Sequence, residues 1–323
     1  KIMYEICYQN IPVFQIDMDK EGQGIVRILD KNYMPFDIFL EEGEDIDTRL
    51  NNIVNFNSWC AGRILSLDRT YAKNILNYFG YTQRMTDREK ANIAIATRCL
   101  SLNDCFWLKD SVEDTEWNSV NLFDNTLKNA VFDVALFGKS PTVSNTGLVT
   151  PDISTDGTAA WLRTDEGFFL LKGDCNDSVL RETEASRILS MLGIENVGYE
   201  KTVWNGEPVS MCTCYTNKER NLARAGWMKI WCENKENLKN SPDRDFGAYI
   251  QEYKDQFDKM NLADYLIGNS DEHDQNWGFI YDGNMNILSL SPLMDFDHAF
   301  ESGENAPCLP ARLLGINCSQ KEA

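Results

Sequence analysis

The stretch that decides the fold runs from Asp264 to Asp297 and reads DYLIGNSDEHDQNWGFIYDGNMNILSLSPLMDFD. Gly268 stands where a helix is expected to end, directly after an apolar Tyr-Leu-Ile run. A polar loop follows over residues 270–276. Residues 278–290 then predict a β-hairpin, in which the strands GFIY and ILSL flank a turn at Asp-Gly-Asn. The stretch therefore predicts a helix end, a loop, a hairpin and a second loop.

Three polar side chains in this stretch have the chemistry of a phosphoryl-transfer site. Asp271 can orient a hydroxyl nucleophile or accept its proton, and Asn276 offers an amide oxygen to Mg²⁺. Asp295, after the hairpin, offers a carboxylate to the same metal. Phosphoryl transfer requires such a set, because the nucleophile must be positioned and oxygen ligands must hold Mg²⁺ on the phosphates. The offset between the Asp and the Asn equals that of the protein-kinase catalytic loop.

Composition restricts the classes of function. The chain has 323 residues, of which 43% are hydrophobic and 11% aromatic, as is typical of a globular protein with one large domain or two. The net charge of −19 argues against binding to duplex DNA or an anionic membrane, since both require clustered Lys and Arg. We expect neither a secretory signal nor a membrane-spanning segment.

The cysteine pattern indicates a reducing compartment. No Cys-x-x-Cys pair occurs among the ten cysteines, and only two histidines are present, so the sequence does not favour a zinc site. Free thiols and a cytoplasmic location are the prediction.

The N-terminal part of the chain is predicted to be an accessory region without site chemistry. Short apolar runs near residues 3–8, 12–16 and 25–29 predict a small antiparallel sheet. Residues 45 to about 109 predict helices, with a capping box at residues 86–89. Several aromatic residues of this segment are expected in the core: Phe56, Trp59, Tyr71, Tyr78 and Phe79.

A second group of signals, between residues 150 and 194, has the order of a nucleotide-binding unit. A polar loop at its start is the candidate phosphate cradle, made of Ser154, Thr155, Asp156, Gly157 and Thr158. Two strands joined by a turn at residues 165–167 follow, and the second strand ends in Lys172. Glu182 then opens a helix that Gly193 ends. The apolar face of this helix is predicted to comprise Ala185, Ile188, Leu189 and Leu192.

Lys172 and Glu182 form the pair that a kinase uses at the α- and β-phosphates, where the carboxylate holds the ammonium in place. Each also has a plainer interpretation, as an exposed lysine at a strand end and a solvated carboxylate in a first helical turn. Glu184 is the competing partner for the lysine. A hairpin over residues 200–215 follows. We place an adenine-binding hinge at its end, at Cys212, Thr213, Cys214 and Tyr215, although a simple buried strand also fits this segment.

The order of these motifs resembles that of the HipA-like serine/threonine kinase family, whose C-terminal fold is related to that of phosphoinositide lipid kinases. The matching segments are TPDISTDGTAAW at 150–161, FFLLKG at 168–173, ETEASRILSMLGI at 182–194, LIGNSDEHDQNWGF at 266–279 and SPLMDFD at 291–297. The resemblance implies an α+β, two-lobed protein-kinase-like fold with an N-terminal accessory α/β region. We accordingly place the accessory region at 1–140, the nucleotide-binding N-lobe at 141–215 and a short, mostly helical C-lobe at 216–323.

The resemblance also assigns a role to each candidate residue. Asp271 matches the catalytic Asp of the family, and Asn276 and Asp295 match its metal ligands. Lys172 matches the phosphate-contacting Lys, and Glu182 matches the helix Glu. His273 falls at the family's His, which packs the loop or contacts phosphate. Some family members autophosphorylate a serine of the phosphate loop, which would correspond to Ser154 or Thr155.

Two features depart from the family pattern. Thr158-Ala159-Ala160 stands where a Lys is expected after the loop glycine, and only 26 residues follow Asp297. The founding members of the family are bacterial toxins paired with a DNA-binding antitoxin. This implies an antitoxin-like protein partner, while the acidic charge argues against direct contact with nucleic acid.

Three functions remain open at the level of sequence. The leading hypothesis is a kinase that uses ATP and Mg²⁺ to phosphorylate a Ser or Thr hydroxyl of a protein. The second is a small-molecule or lipid phosphotransferase, and the third is a non-catalytic nucleotide-binding protein. The assignment of the site requires one arrangement in space, with Lys172 close to Asp271, Asn276 and Asp295.

Overall fold

The computed structural model describes residues 3–18, 24–63, 86–125, 148–149, 159–173, 177–204, 206–233 and 245–300. Within these ranges twelve strands form three antiparallel sheets, and seven α-helices accompany them. The mixed α and β class predicted from the sequence is therefore confirmed. The candidate phosphate loop, residues 154–158, lies outside the described residues.

The first sheet contains the N-terminal strands. They are β1 (Met3–Tyr8), β2 (Ile11–Asp17), β3 (Ile25–Ile28) and β4 (Phe106–Asp110), arranged in the order β3-β2-β1-β4. The same part of the chain contributes the helices α1 (Ile46–Ala61), α2 (Asp87–Ala96) and α3 (Trp117–Val120). The three predicted N-terminal strands are confirmed. Phe56 and Trp59 are buried as expected, whereas Tyr71, Tyr78 and Phe79 lie outside the described residues.

The helical prediction for residues 45–109 is wrong at its C-terminal end. Phe106, Trp107 and Leu108 belong to β4, which pairs antiparallel with β1. All three side chains are buried. A short run that is apolar on both faces does not distinguish a strand from a buried helix, so the pairing with β1 decides the outcome.

The second sheet is formed by the middle of the chain. Its strands are β5 (Leu148–Val149), β6 (Ala159–Thr164), β7 (Gly167–Gly173), β8 (Glu200–Trp204) and β9 (Glu207–Thr213), in the order β5-β6-β7-β9-β8. Helix α4 (Ser178–Met191) packs against β7, β8 and β9. Both predicted hairpins, β6–β7 and β8–β9, are confirmed.

Helix α4 differs in two details from its prediction. It begins at Ser178, one turn before Glu182, so the glutamate lies in the second turn of the helix and not at its start. Gly193, with φ +70°, ends the helix as predicted. Leu192 was predicted on the buried face but is 56% exposed, because it is the C-cap residue and lies beyond the last helical turn.

The third sheet contains the β-hairpin of the stretch Asp264–Asp297. It consists of β10 (Asn221–Arg224), β11 (Gly278–Tyr281) and β12 (Ile287–Leu290), in the order β10-β11-β12. The helices beside it are α5 (Ala225–Glu233), α6 (Phe246–Glu252) and α7 (Lys254–Ile267). The predicted β11–β12 hairpin is confirmed. Strand β10 was not predicted from the sequence.

The N-terminal region packs directly against the third sheet. The side-chain amide of Asn221 donates to the Tyr8 hydroxyl at 2.9 Å, and the Leu222 N–H donates to the Asn103 carbonyl at 2.7 Å. The ring of Phe36 contacts that of Tyr281 at a centroid distance of 5.1 Å. The accessory region is therefore part of the surroundings of the candidate site. In the part of the chain that the structure describes, no helix has the length and apolar character to cross a membrane.

Candidate active site

A buried lysine lies at the centre of the candidate site. Lys172, near the end of β7, is 8% exposed, and its Nζ donates to Oε1 of Glu182 on α4 and to Oδ1 of Asp295 at 2.6 Å. The second oxygen of Glu182 accepts a hydrogen bond from Ser210 Oγ on β9. The register of β7 and β9 makes Ser210 the cross-strand neighbour of Lys172, and Glu182 on α4 contacts both side chains.

For Lys172 and Glu182, the structure decides between the interpretations that the sequence left open. Lys172 is not an exposed strand-end lysine, and Glu182 is only 1% exposed. The competing candidate, Glu184, instead bonds to Arg187 on the surface of α4 at 2.7 Å. Glu182 is therefore the helix carboxylate that contacts Lys172.

The charges of this cluster stabilise one another. Burial alone lowers the pKa of Lys172, but the oxygens of Tyr199, Asp295 and Glu182 outweigh burial and hold its pKa well above the ordinary value. Burial raises the pKa of Asp295, yet the adjacent Lys172 ammonium outweighs it and keeps this pKa below its ordinary value. Burial raises the pKa of Glu182, and Lys172 and Ser210 oppose that rise. Lys172 and Asp295 are accordingly both charged at neutral pH.

The loop that carries Asp271 is held at both of its ends. Gly268 ends α7 in the left-handed conformation, with φ +61°, and the next residue, Asn269, is fully buried. The Asn269 amide donates to Asp264 Oδ1 at 3.1 Å, which ties the loop to α7. Further along, the side-chain amide of buried Asn276 donates to the backbone carbonyl of Asp271 at 3.0 Å. The nitrogen of Asn276 is thus engaged, and its oxygen is the atom that can bind a metal.

A glycine allows the end of this loop to join the third sheet. A Cβ atom at Gly278 would lie 2.3 Å from the backbone oxygen of Ala223 on β10, a distance that no side chain can tolerate. Gly278 therefore lets β11 approach β10 closely, and this pairing fixes the position of Asn276 two residues earlier.

Asp295 adopts a strained backbone conformation. Its φ of +65° lies in the left-handed region that few non-glycine residues occupy. Its N–H donates to the Tyr199 hydroxyl at 3.3 Å, and the Tyr199 ring lies 5.7 Å from Lys172 Nζ. Strained residues of this kind concentrate at functional sites, where the surrounding structure holds them in place.

A cleft brings the predicted residues from the second and third sheets to one place. Seven of them line it: Lys172, Cys212, Thr213, Cys214, Tyr215, Asn276 and Asp295. Glu182 lies behind Lys172 and does not line the cleft. Asp271 and His273 belong to the loop that carries Asn276, and both side chains are exposed. The N–H of Cys214 donates to the Phe168 carbonyl at 2.8 Å, so this hinge amide is already engaged.

His273 occupies a position within the loop. Its Nδ1 accepts a hydrogen bond from the Gln275 N–H at 3.3 Å. The contact links two residues of the same loop.

The donor set fits a magnesium ion that is shared with phosphates. Among the described residues, no group of three or more His, Cys, Asp or Glu side chains is arranged to hold a metal by itself. Mg²⁺ bound with a nucleotide needs only one or two carboxylates, with phosphate oxygens and water as the other ligands. Asn276 and Asp295, which both line the cleft, provide such oxygens.

Sequence reasoning missed four residues of the site. Tyr199 contacts both Lys172 and Asp295, Ser210 bonds to Glu182, and Arg224 lines the cleft. Asp297 has a raised pKa, because of burial and the neighbouring Asp295 carboxylate. Strand register would have indicated Ser210 once β7 and β9 were paired, whereas Tyr199 has no local signal.

We expect Ser210→Ala to destabilise the protein by about 1–3 kcal/mol, because it leaves an oxygen of buried Glu182 without its donor. Urea denaturation would measure this change. Ser289→Ala, at a half-buried serine of β12, is the matched control and should alter the free energy of unfolding by less than about 0.5 kcal/mol. Equal effects of the two substitutions would show that the Ser210–Glu182 bond contributes nothing specific.

Comparison with known proteins identifies the class of fold. The fold is similar to that of HipA from Shewanella oneidensis MR-1, whose structure was solved with HipB and its operator DNA. The two structures align with a TM-score of 0.52 over 91% of this chain and 75% of HipA, at 11% sequence identity. The predicted resemblance to HipA is therefore confirmed at the level of fold. No known sequence family and no curated protein matches the chain.

A second solved structure aligns over a smaller part of the chain. The Helicobacter pylori proinflammatory kinase CtkA matches with a TM-score of 0.37 and 22% identity. The alignment covers 44% of this chain and 55% of CtkA, so the chain spans about half the length of that protein.

Proposed function

We propose that this protein is a kinase that transfers the γ-phosphate of ATP to a Ser or Thr hydroxyl of a protein. The observation that carries the proposal is the contact of Lys172 with both Glu182 and Asp295. Lys172 and Asp295 are 123 residues apart in the chain, yet they lie on one cleft. A lysine for the phosphates beside oxygen ligands for a metal is the arrangement that phosphoryl transfer requires.

Each residue has a separate task in the proposed reaction. Lys172 contacts the α- and β-phosphates, and Glu182 holds its ammonium in position. Asn276 and Asp295 would hold Mg²⁺, which would neutralise charge on the phosphates. Asp271 orients the acceptor hydroxyl for in-line attack and takes up its proton. The hinge at Cys212 to Tyr215 would receive the adenine.

The proposed architecture is two-lobed. The five-stranded sheet and α4 would form the N-lobe, and the third sheet with α5 to α7 would form the C-lobe. The cleft that both sheets line supports this division. By the same resemblance we propose an antitoxin-like protein partner, since the HipA structure contains HipB.

ATP binding is expected to depend on Mg²⁺. Isothermal titration calorimetry should show tight binding of ATP in the presence of Mg²⁺ and much weaker binding in EDTA. Asp295→Asn should remove most of the gain that Mg²⁺ provides, because the site loses its charged oxygen ligand. Asp165→Asn, in the exposed β6–β7 turn, is the matched control and should behave as the wild type. Binding that is equal with and without Mg²⁺ would contradict the proposal.

A further inference from the structure

A second basic side chain lines the candidate cleft. Arg224 is the last residue of β10, and it lines the cleft together with Lys172, Asn276 and Asp295. Among the described residues that line the cleft, Lys172 and Arg224 are the cations. Lys172 belongs to the second sheet and Arg224 to the third. An anionic ligand in the cleft would therefore meet one cation from each sheet.

The charge of Lys172 is already balanced within the protein. Its Nζ donates to Glu182 and, at 2.6 Å, to Asp295. The phosphates of a nucleotide carry several negative charges, and one Mg²⁺ neutralises only part of them. A buried charge needs a partner of opposite sign. Binding of the phosphates beside the carboxylate of Asp295 therefore requires positive charge in addition to that of Lys172.

The guanidinium of Arg224 lies where the proposed hinge meets the segment of Asp295. Burial raises the pKa of Tyr215, the last residue of the hinge, and the positive charge of Arg224 opposes that rise. The Tyr215 hydroxyl donates to Sδ of Met294 at 3.5 Å, and Met294 directly precedes Asp295. A nucleotide that extends from the hinge to the metal ligands would therefore pass close to Arg224.

Two contacts hold Arg224 against the loop that carries Asn276. Nη1 of Arg224 donates to the Gln275 carbonyl, and Gln275 directly precedes Asn276. Two residues after Arg224, the Gly226 N–H donates to the Asp274 carbonyl at 2.9 Å. A guanidinium carries several N–H donors in a fixed plane, so it can bond to Gln275 and to a phosphate at the same time. The arginine is thus held in place before a ligand binds.

We propose that Arg224 binds the phosphates of the nucleotide in the cleft, as a second cation beside Lys172. The inference rests on the proposed function, because it assigns a further binding residue to the same nucleotide. Lys172 contacts the phosphates from the second sheet, and Arg224 contacts them from the third. Arg224 thereby selects phosphorylated nucleosides over uncharged ones.

Isothermal titration calorimetry with two probes tests the assignment without any phosphotransfer. The probes are ATP with Mg²⁺ and adenosine, which has no phosphate. Arg224→Met should weaken the binding of MgATP by about tenfold or more, because it removes charge-assisted hydrogen bonds. Its affinity for adenosine should equal that of the wild type. An equal loss for both probes, or an unchanged affinity for MgATP, would overturn the inference.

Titration of ATP in EDTA distinguishes a phosphate contact from an effect on the metal site. Arg224 also holds the Gln275 carbonyl next to Asn276, so its removal could act by displacing this metal ligand. A direct contact with phosphate does not depend on Mg²⁺. Arg224→Met should therefore weaken ATP binding by a similar factor in EDTA. A loss that occurs only in the presence of Mg²⁺ would refute the contact.

Two further variants complete the test. Arg224→Gln keeps an N–H donor for the Gln275 carbonyl but removes the charge, so it should lose as much affinity for MgATP as Arg224→Met. It also provides the test if the methionine variant does not fold. Arg220→Met, at an exposed arginine directly before β10, is the matched control and should bind MgATP like the wild type. Equal losses for the variants at Arg220 and Arg224 would mean that only the net charge of the protein matters.

Binding and transfer together separate this inference from the proposed function. Affinity for ATP that depends on Arg224, without transfer of ³²P to any peptide, would contradict the kinase proposal and leave the assignment of Arg224 standing. Phosphotransfer by the wild type, with an unchanged affinity for MgATP in Arg224→Met, would refute the assignment and leave the kinase proposal standing.

Discussion

Asp271→Asn is expected to lower the rate of phosphotransfer by about 10²–10⁴-fold, because an amide cannot accept the proton of the acceptor hydroxyl. ATP binding should remain nearly unchanged. The structure explains why the loop should survive the substitution: Asn276 donates to the backbone carbonyl of Asp271 and not to its carboxylate. Transfer of ³²P from γ-labelled ATP to a mixture of Ser and Thr peptides, together with calorimetric titration of ATP, would measure both quantities.

Asp274→Asn is the matched control for this experiment. Asp274 is exposed in the same loop, and it is the backbone oxygen of this residue that accepts a hydrogen bond, from the Gly226 N–H at 2.9 Å. The control variant should keep nearly the full rate. If Asp271→Asn transfers phosphate as fast as the wild type, Asp271 is not the catalytic residue. If both variants lose activity equally, the effect belongs to the loop as a whole.

Lys172→Met is expected to destabilise the protein by about 3–5 kcal/mol, the usual consequence of removing one partner of a buried ion pair. The substitution leaves Glu182, which is 1% exposed, without its cation and leaves Asp295 unpaired in the cleft wall. Affinity for MgATP should fall at the same time. Urea denaturation and calorimetry measure the two effects separately.

Two further variants test whether the loss of stability comes from the buried ion pair. Combining Lys172→Met with Glu182→Gln should cost less than the sum of the single substitutions, since the neutral amide no longer needs a cation. Arg187→Met breaks the exposed Arg187–Glu184 pair and should cost no more than about 1 kcal/mol. A loss for Lys172→Met as small as that of Arg187→Met would mean that the cluster is not buried and paired in solution.

The local elements were largely predictable, because their signals depend on neighbouring residues. Gly268 and Gly193 end their helices with positive φ, as their places after apolar runs predicted. The β6–β7 and β11–β12 hairpins follow from turn residues between apolar strands. The failures are β4 and β10, whose strand character depends on partners far away in the chain.

The residues of the candidate site divide in the same way, into those with a local signal in the sequence and those that only tertiary contacts identify. Asp271, Asn276 and Asp295 were selected from their spacing in one stretch, and Lys172 from the strand that it ends. Tyr199 could not be selected, because only its packing against the segment of Asp295 gives it a role. Ser210 becomes identifiable only when β7 and β9 are paired, since its contact is with Glu182 beside Lys172.

By itself, the sequence determined the order of the elements, the residue types of a phosphoryl-transfer site and the acidic charge of the chain. These features depend on composition and on short spacings between residues, and the sequence itself contains both. Only the tertiary structure decided that Lys172 pairs with Glu182 instead of Glu184, and that the N-terminal region borders the cleft through Asn103. Such choices are made by burial and strand register, because both depend on contacts between residues far apart in the chain.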